Sequence, residues 1–368
     1  MPPRDTYHQR PFIVLWELTR ACALACAHCR AEAIPRRDPA ELSTDEAERL
    51  LEEIAGFGPP LPLVVFTGGD PLRRPDLASL VESATRRGLR VALTPSGTAA
   101  VTEKKLRRLK DAGLARLAVS LDGSTAETHD AFRGVRGSYA WTLRIIDRTR
   151  ALGLPLQINT TITRRNLRDF VAIGDVLERF GIVLWSIFFL IPTGRGRQED
   201  QITAWEFEGL LNRVYERSRM APFGIKTTEA PQYRRVVVER ERGIRRDGEV
   251  SMIDPIPLRY APTLPDWNGR APDGVNDGNG VVFVSCTGEV WPSGFLPLSA
   301  GNVRVRSVIR LYQEHPIFRA LRDPERLKGR CGICPYRELC GGSRARAYAL
   351  RHDYLAEDSL CFFDPPRF

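Results

Sequence analysis

The chain has 368 residues, of which 43% are hydrophobic and 27% are charged, and its formal net charge is +9. This composition is typical of a globular protein with a full core and room for a second, smaller domain. The first residues lack the apolar segment of a signal peptide, and no apolar run is long enough to cross a bilayer, so we expect a cytoplasmic protein without a membrane partner. The arginines are scattered instead of forming a basic run, which argues against a nucleic-acid partner.

Short β-branched runs alternate with helical segments from residue 12 to residue 192, which is the pattern of a parallel sheet with crossover helices. The predicted strands cover 12–18, 63–66, 90–93, 116–119, 156–162 and 184–191. Helices are predicted to begin at 43–46 and 75–77, and to cover 102–112, 141–152 and 167–180. Six β/α units predict an α/β fold built on a partial (β/α)6 barrel, in which ligands lie at the carboxyl ends of the strands.

The second half of the chain has a different pattern. Residues 205–218 and 232–246 read as charged helices that cover or bridge the barrel, and the Pro-, Gly- and Asp-rich passage 254–280 predicts a loop or lid with a domain boundary inside it. A hairpin formed by 281–286 and 289–291 then opens a compact, cysteine-bearing segment. We therefore predict an N-terminal arm (1–11), a barrel (12–199), bridging helices (200–262) and a small C-terminal hairpin-plus-helix domain (263–368).

Three cysteines stand at C-x3-C-x2-C spacing directly after the first strand: Cys22, Cys26 and Cys29. A cytoplasmic compartment keeps thiols reduced, so metal ligands explain such spacing better than disulfides. Three thiolates on one short loop can hold three corners of an iron–sulfur cube and leave the fourth iron open, as a catalytic site requires. Zinc is the alternative, but its fourth ligand would have to be His28, which lies awkwardly inside the same loop.

This loop, preceded by the sequence Trp-Glu-Leu-Thr, resembles the signature of the radical S-adenosylmethionine (SAM) enzymes. The resemblance implies a [4Fe–4S] cluster that binds SAM at its open iron and, once reduced, yields a 5′-deoxyadenosyl radical that abstracts hydrogen from a substrate. It also implies a flavodoxin- or ferredoxin-type reductant. An iron–sulfur electron-transfer or scaffold protein is the non-enzyme alternative, and it would need no open iron.

The same resemblance implies SAM contacts from several strand ends. The residues at matching positions are Gly68, Gly69 and Asp70 after the second strand, Ser96 after the third, Ser120 and the downstream Arg133 at the fourth, and Asn159 in the fifth. The family commonly has glutamate where this chain has Asp70, and often Thr-Asn-Gly near Ser96. Each of these residues also fits an ordinary turn or a capped strand end.

A second cysteine set closes the chain and consists of Cys331, Cys334, Cys340 and Cys361. Four such ligands can hold a cluster or a zinc ion. Their spacing resembles the SPASM extension of radical SAM proteins, whose further ligand positions are occupied here by Ser293 and Arg344, so the resemblance implies one auxiliary [4Fe–4S] cluster. Cys286 belongs to neither set and is either a small buried strand residue or a ligand to the auxiliary cluster or to a substrate metal.

The substrate prediction rests on resemblance. Segments 288–297, 301–303, 328–334 and 340–349 resemble the alternative haem-biosynthesis branch, which decarboxylates iron-coproporphyrin propionates. Arginine forks match carboxylates, so Arg195, Arg344 and Arg346 are candidate substrate residues, although ordinary surface arginines are an equal alternative. A maturase that crosslinks or oxidises a ribosomally made peptide is the second hypothesis. Cys22 comes too early for an N-terminal leader-binding domain, which argues against the leader-dependent subtype only.

Overall fold

A computed structural model describes residues 6–245 and 275–365 of the chain. The ten strands of these residues are β1 (Ile13–Thr19), β2 (Leu63–Gly68), β3 (Arg90–Leu93), β4 (Arg116–Ser120), β5 (Leu156–Ile162), β6 (Leu184–Phe189), β7 (Gly224–Thr228), β8 (Val281–Val284), β9 (Glu289–Trp291) and β10 (Gly301–Asn302). They form one sheet in the order β10-β9-β8-β1-β2-β3-β4-β5-β6-β7. All six predicted strands and the predicted hairpin are confirmed.

Most of this sheet is parallel. Strands β1 to β7 pair in chain order, and β8 pairs in parallel with the other side of β1. Only β9 and β10 run antiparallel to their neighbours. Because β8 extends the main sheet, the sheet is continuous across the boundaries that we predicted from sequence, and those domain limits stay a prediction.

Strand β7 was missed by the sequence analysis, which predicted only two helices between residues 200 and 250. The sequence of this strand is Gly-Ile-Lys-Thr-Thr, with Lys226 at its centre, so it lacks the apolar alternation that marks a half-buried strand. Its pairing with β6 supplies the order that its own sequence does not signal.

The α-helices of the described residues are α1 (Thr6–Gln9), α2 (Thr44–Ala55), α3 (Leu77–Arg86), α4 (Glu103–Asp111), α5 (Ala126–Arg133), α6 (Ser138–Ala151), α7 (Phe170–Glu178), α8 (Ala204–Ser218), α9 (Tyr233–Glu241), α10 (Val308–Glu314), α11 (Pro316–Leu321), α12 (Gly329–Ile333) and α13 (Arg344–Arg351). The capping box predicted at Ser43 and Glu46 opens α2. None of the described helices is long and apolar enough to span a membrane.

The core lies between the sheet and the helices. In β1, Val14 and Trp16 are fully buried in this core, and the Trp16 ring meets Phe66 of β2 edge to face with 5.6 Å between centroids. The alternate residues Ile13 and Leu15 face a large cavity instead. Each strand from β1 to β8 contributes residues to the lining of this cavity, so the sheet curves around it. The predicted loop 254–280 lies outside the described residues up to residue 274, and its last six residues lead into β8.

Candidate active site

The turn after β2 lies against the backbone at the start of the first cysteine loop. The N–H groups of Gly69 and Asp70 donate to the carbonyl oxygens of Thr19 and Ala21, each at 2.7 Å. A Cβ atom on Gly68, whose φ is +140°, would lie 2.2 Å from the Thr19 oxygen. Only glycine fits this approach. The resemblance implies SAM contacts for these glycines, and the structure shows that they let the cysteine loop come close.

Two further elements hold the other side of the same loop. The N–H group of Arg195, in the turn after β6, donates to the Cys29 carbonyl oxygen at 3.0 Å. A Cβ atom on Gly194 would lie 2.5 Å from that oxygen, and one on Gly134, at the end of α5, would lie 2.8 Å from the carbonyl oxygen of Ala25. Both glycines have positive φ. The loop is therefore contacted by the turns after β2 and β6 and by the end of α5, which are far apart in sequence.

The thiols of Cys22, Cys26 and Cys29 all line the cavity, whose volume is about 1280 Å³. None of the eight cysteines forms a disulfide. The Cys22 sulfur lies 3.1 Å from the Ser96 hydroxyl, and Arg133 donates to the Cys26 sulfur at 3.6 Å. Burial raises the pKa of the Cys22 thiol, so a cationic centre is needed to hold it as thiolate. This donor set fits three ligands of an iron–sulfur cluster.

The geometry differs from that of a site for one metal ion. Within the described residues, no three His, Cys, Asp or Glu side chains converge on a point where a single ion would sit. The thiolates of a cubane cluster bind separate iron atoms and do not need such convergence.

A smaller pocket of about 110 Å³ adjoins the cysteine loop. The residues predicted to bind SAM that line it are Gly68, Gly69, Ser96, Ser120 and Arg133. These five residues also line the large cavity, as does Asn159, which pairs with Ser120 across β4 and β5. The structure therefore brings six of the seven predicted SAM residues to one place.

Asp70 is the exception among those residues, because it lines neither cavity and is only 1% exposed. One carboxylate oxygen accepts from the N–H groups of Leu72 at 3.2 Å and Ser96 at 3.4 Å. The other oxygen is buried without a hydrogen-bond partner, and burial raises the pKa of the carboxyl group. Asp70 thus ties the turn after β2 to the turn after β3.

Arg133 depends on Asp122, a residue that was not among the predicted site residues. The two side chains form a buried ion pair, and a second Asp122 oxygen accepts from the Thr161 N–H at 2.7 Å. Nδ1 of His129 accepts from the Asp122 N–H at 3.1 Å, and burial together with Arg133 lowers the pKa of His129 to about 3. His129 is therefore neutral, and Asp122 aims Arg133 at the sulfur of Cys26.

Arg195 lines the large cavity beside the cysteine loop, as predicted for a residue at the end of the sixth strand. Its Nε and Nη2 atoms are buried and have no hydrogen-bond partner. Nearby, the His28 ring lies 4.4 Å from the Phe132 ring, and burial, Arg133 and Arg195 lower the pKa of His28 well below its usual range. Arg195 therefore offers unused donors to a ligand in the cavity.

The structure brings the four C-terminal cysteines together. The N–H group of Gly342 donates to the Cys340 sulfur at 3.4 Å, and a Cβ atom on Gly342 would lie 3.2 Å from the Cys331 sulfur. Burial raises the pKa of Cys340 to about 12 with a contribution from Cys331, and it raises that of Cys361 with a contribution from Cys340. Burial and Cys331 likewise raise the pKa of Cys334. Cys331 therefore lies near Cys334 and Cys340, and Cys340 lies near Cys361.

Arg344 and Arg346 differ from what we expected, since the structure brings neither to the large cavity. Both are buried, at 2% and 0% exposure. Arg344 donates to the Ala356 carbonyl oxygen at 2.7 Å and to the Cys331 sulfur at 3.7 Å, and Arg346 forms an ion pair with Asp358 at 3.0 Å. Helix α13 directs Arg344 toward Cys331 and Arg346 toward Asp358, so both side chains are held by internal partners.

Cys286 lies two residues after the end of β8 and is 2% exposed. Burial, with Glu17 and Glu41 beside it, raises the pKa of its thiol to about 12. It does not line the large cavity.

The large cavity is rich in positive charge. Nine arginine and lysine side chains line it, against three aspartate and glutamate side chains. Aromatic residues contribute as well, with Phe188 and Phe295 6.2 Å apart between ring centroids. A flat apolar ligand that carries several negative charges would match such a lining.

Comparison with known proteins agrees with this geometry. Residues 16–177 match the family model described as the radical SAM superfamily. A Methanosarcina barkeri protein named AdoMet-dependent heme synthase is 39% identical over 96% of this chain and 97% of its own length. A protein of the same name from Nitratidesulfovibrio vulgaris is 40% identical over 96% of this chain and 93% of its own.

A solved structure extends the comparison to the fold. Streptococcus suis SuiB, bound to its precursor peptide SuiA, aligns with a TM-score of 0.71 over 98% of this chain and 78% of SuiB. At 16% sequence identity, this likeness concerns the fold alone.

Proposed function

Because the chain belongs to the radical SAM superfamily, we propose that it forms haem by oxidative decarboxylation of the propionate side chains of an iron coproporphyrin. Two relatives that cover nearly the whole chain carry the name AdoMet-dependent heme synthase. The observation that carries the proposal is the large cavity, which is lined by cations and aromatic rings and includes all three thiols of the cysteine loop.

The superfamily employs a [4Fe–4S] cluster and SAM, which together supply the 5′-deoxyadenosyl radical that removes a hydrogen atom from the substrate. In this chain Cys22, Cys26 and Cys29 would hold that cluster. The adjoining pocket at Gly69 and Ser96 would hold SAM, since backbone carbonyls and a hydroxyl lie beside the thiols there. Because these residues line both cavities, hydrogen abstraction would take place where the two meet.

Arg195 is the residue that we assign to the reacting propionate. It lies beside the cysteine loop, and two of its nitrogen atoms are buried without a partner. A guanidinium binds a carboxylate through two parallel hydrogen bonds, which fixes the direction of the side chain as well as its position. Phe188 and Phe295 would pack against the apolar macrocycle.

The reaction also requires an electron acceptor. Removal of a hydrogen atom from the propionate leaves a carbon radical, and loss of carbon dioxide then forms a vinyl group only if one further electron departs. We propose that the C-terminal cysteine group, Cys331, Cys334, Cys340 and Cys361, holds one auxiliary [4Fe–4S] cluster that supplies this one-electron acceptor. A flavodoxin- or ferredoxin-type protein as the reductant of the first cluster stays a prediction.

The test uses anaerobically reconstituted protein, reductant and SAM. We expect iron coproporphyrin III to bind with a Soret band that persists through gel filtration, and its mass to fall by one carbon dioxide and two hydrogens per vinyl group formed. If no porphyrin binds and a small peptide instead stimulates SAM cleavage, the enzyme is a peptide maturase and the proposal is wrong.

A further inference from the structure

Three cationic side chains project into the large cavity without an acidic partner. They are Arg90 of β3, Arg116 of β4 and Lys226 of β7. Within residues 6–245 and 275–365, none of the three forms a hydrogen bond or an ion pair. Arg90 stands at an exposed rim, whereas Arg116 and Lys226 are half-buried.

Arg116 lies opposite Ala92, two residues from Arg90 along β3, and all three cations line the same cavity. Burial and the charge of Arg116 lower the pKa of Lys226 to about 8, and burial and the charge of Arg90 lower the pKa of Arg116. A desolvated cation without a partner is unfavourable, and like charges beside it add to the cost. Folding alone therefore gains nothing from this cluster, whereas a bound anion would neutralise it.

Arg90 and Arg116 differ in position from the SAM pocket. Arg90 and Arg116 are the first residues of β3 and β4, whereas the cysteine loop follows the last residue of β1. Along β4 the path from Arg116 to Ser120, which lines the SAM pocket, is four residues, or about 13 Å at the usual rise of a parallel strand. The cavity thus offers cations both beside the thiols, at Arg195, and at a second place toward the amino ends of β3 and β4.

We propose that Arg116 and Lys226, with Arg90 at the rim, form an anchoring site for the carboxylates of the substrate that do not react. The inference rests on the proposed function, because haem keeps propionate side chains and a haem-forming enzyme must hold them away from the radical. In this arrangement Arg195 binds the propionate that loses carbon dioxide, and the anchoring site binds propionates at the opposite edge of the macrocycle. The same site then selects a substrate with carboxylates on both edges over one with a single acid group.

The experiment compares binding of iron coproporphyrin III and of its tetramethyl ester by Soret titration of the reconstituted full chain. We expect Arg116→Met and Lys226→Met each to weaken binding of the acid roughly tenfold, the scale of one charge-assisted hydrogen bond, and the double variant to weaken it further. The ester should bind to all of them as it binds to the wild type. Lys104→Met, an exposed lysine of α4, is the matched control and should change neither affinity.

Charge-retaining variants separate charge from shape. Arg116→Lys and Lys226→Arg should keep most of the affinity for the acid, which also guards against a methionine variant that folds poorly. Equal affinity of the wild type and the double variant for the acid would overturn the anchoring site while leaving the proposed function intact. Failure of the wild type to bind any porphyrin would instead overturn the proposed function, and the anchoring site with it.

Discussion

The two cysteine groups of this chain use the same ligand atoms in opposite settings. The first group faces a cavity of about 1280 Å³, and its loop is held by backbone contacts from other strand ends, such as the Arg195 N–H on the Cys29 carbonyl oxygen. In the second group Cys331 is buried and Cys334, Cys340 and Cys361 are half-buried, and Arg344 donates to the sulfur of Cys331. The first group lines a cavity that can hold a ligand, whereas the second group does not line it.

The difference also separates the two sites in ligand number. Three cysteines in the first loop leave one position of a cubane cluster open, whereas four cysteines in the second group can saturate a cluster. An open position serves chemistry, and a saturated one serves electron transfer or stability. If this contrast is correct, damage to the two groups has different consequences.

The largest effect is expected in the open group. Changing Cys22, Cys26 or Cys29 to alanine removes a ligand where only three exist, so 5′-deoxyadenosine formation should fall below detection, a loss on the order of a thousandfold or more. The measurement is product formation by anaerobically reconstituted protein under reducing conditions. Undiminished SAM cleavage in all three variants would contradict the assignment of the open site.

The closed group should show a different loss. Replacing Cys331, Cys334 and Cys340 together with alanine should leave a brown protein with about half of the iron, because the first cluster keeps its own ligands. SAM cleavage without substrate should persist, while vinyl formation stops for want of an electron acceptor. A variant without any iron, or zinc in the second site after native expression, would contradict the assignment of an iron–sulfur cluster to the second group.

The buried ion pair between Arg346 and Asp358 provides the third test. Asp358→Asn leaves the Arg346 guanidinium buried without its counter-ion, which typically costs about 3–5 kcal/mol. The matched control is Arg351→Met on the same helix α13, where the exposed contact to Glu357 at 3.8 Å is worth roughly 1 kcal/mol or less. Thermal unfolding of the reconstituted protein measures the stability of both variants. Equal destabilisation would show that the buried ion pair contributes no more to stability than the exposed one.

Arg195 tests the open side of the comparison. Its unused donors face the cavity, so Arg195→Ala should weaken binding of iron coproporphyrin III by about 1.5–3 kcal/mol while SAM cleavage without substrate stays nearly intact. Arg197→Ala, an exposed residue of the same turn, is the control and should bind like wild type. A neutral porphyrin ester should not distinguish the variants, and if it loses affinity as much as the acid does, Arg195 acts through packing instead of charge.

How much of this arrangement the sequence predicts depends on whether a signal is local. Cysteine spacing and strand periodicity are local, and they identified both thiol groups and β1 to β6. The direction of a side chain depends on packing between distant segments, so Arg344 and Arg346 were expected to face a substrate and are instead buried against internal partners. Strand β7 was missed for the same reason, since the presence of Lys226 in a strand is explained only by the cavity that it faces.

A carboxyl pair between the two sites belongs with these non-local features. Glu229 follows β7 with a φ of +60°, lines the large cavity and accepts a hydrogen bond from the Ser343 hydroxyl at 2.6 Å. Burial and the neighbouring Asp277 raise the pKa of Glu229 well above its usual range. Nothing in the sequence around Glu229 indicates that it meets Asp277 and the cap of α13.

The smallest expected effect concerns this pair and depends on pH. A carboxyl group whose pKa is raised by folding stabilises the fold fully below the pKa of the unfolded chain, and it loses that contribution as the pH rises through the raised value. Glutamine keeps the neutral form at every pH, so Glu229→Gln should match the wild type near pH 4 and unfold on the order of 2–4 °C higher at pH 8. Asp353→Asn is the control of opposite sign, because Lys328 lowers the pKa of the Asp353 carboxyl group. Removing the charge of Asp353 should therefore not stabilise the protein at pH 8. If the melting temperature of Glu229→Gln follows that of the wild type at both pH values, Glu229 is ionised in the folded protein, and the wall between the open and the closed site carries a negative charge instead of a shared proton.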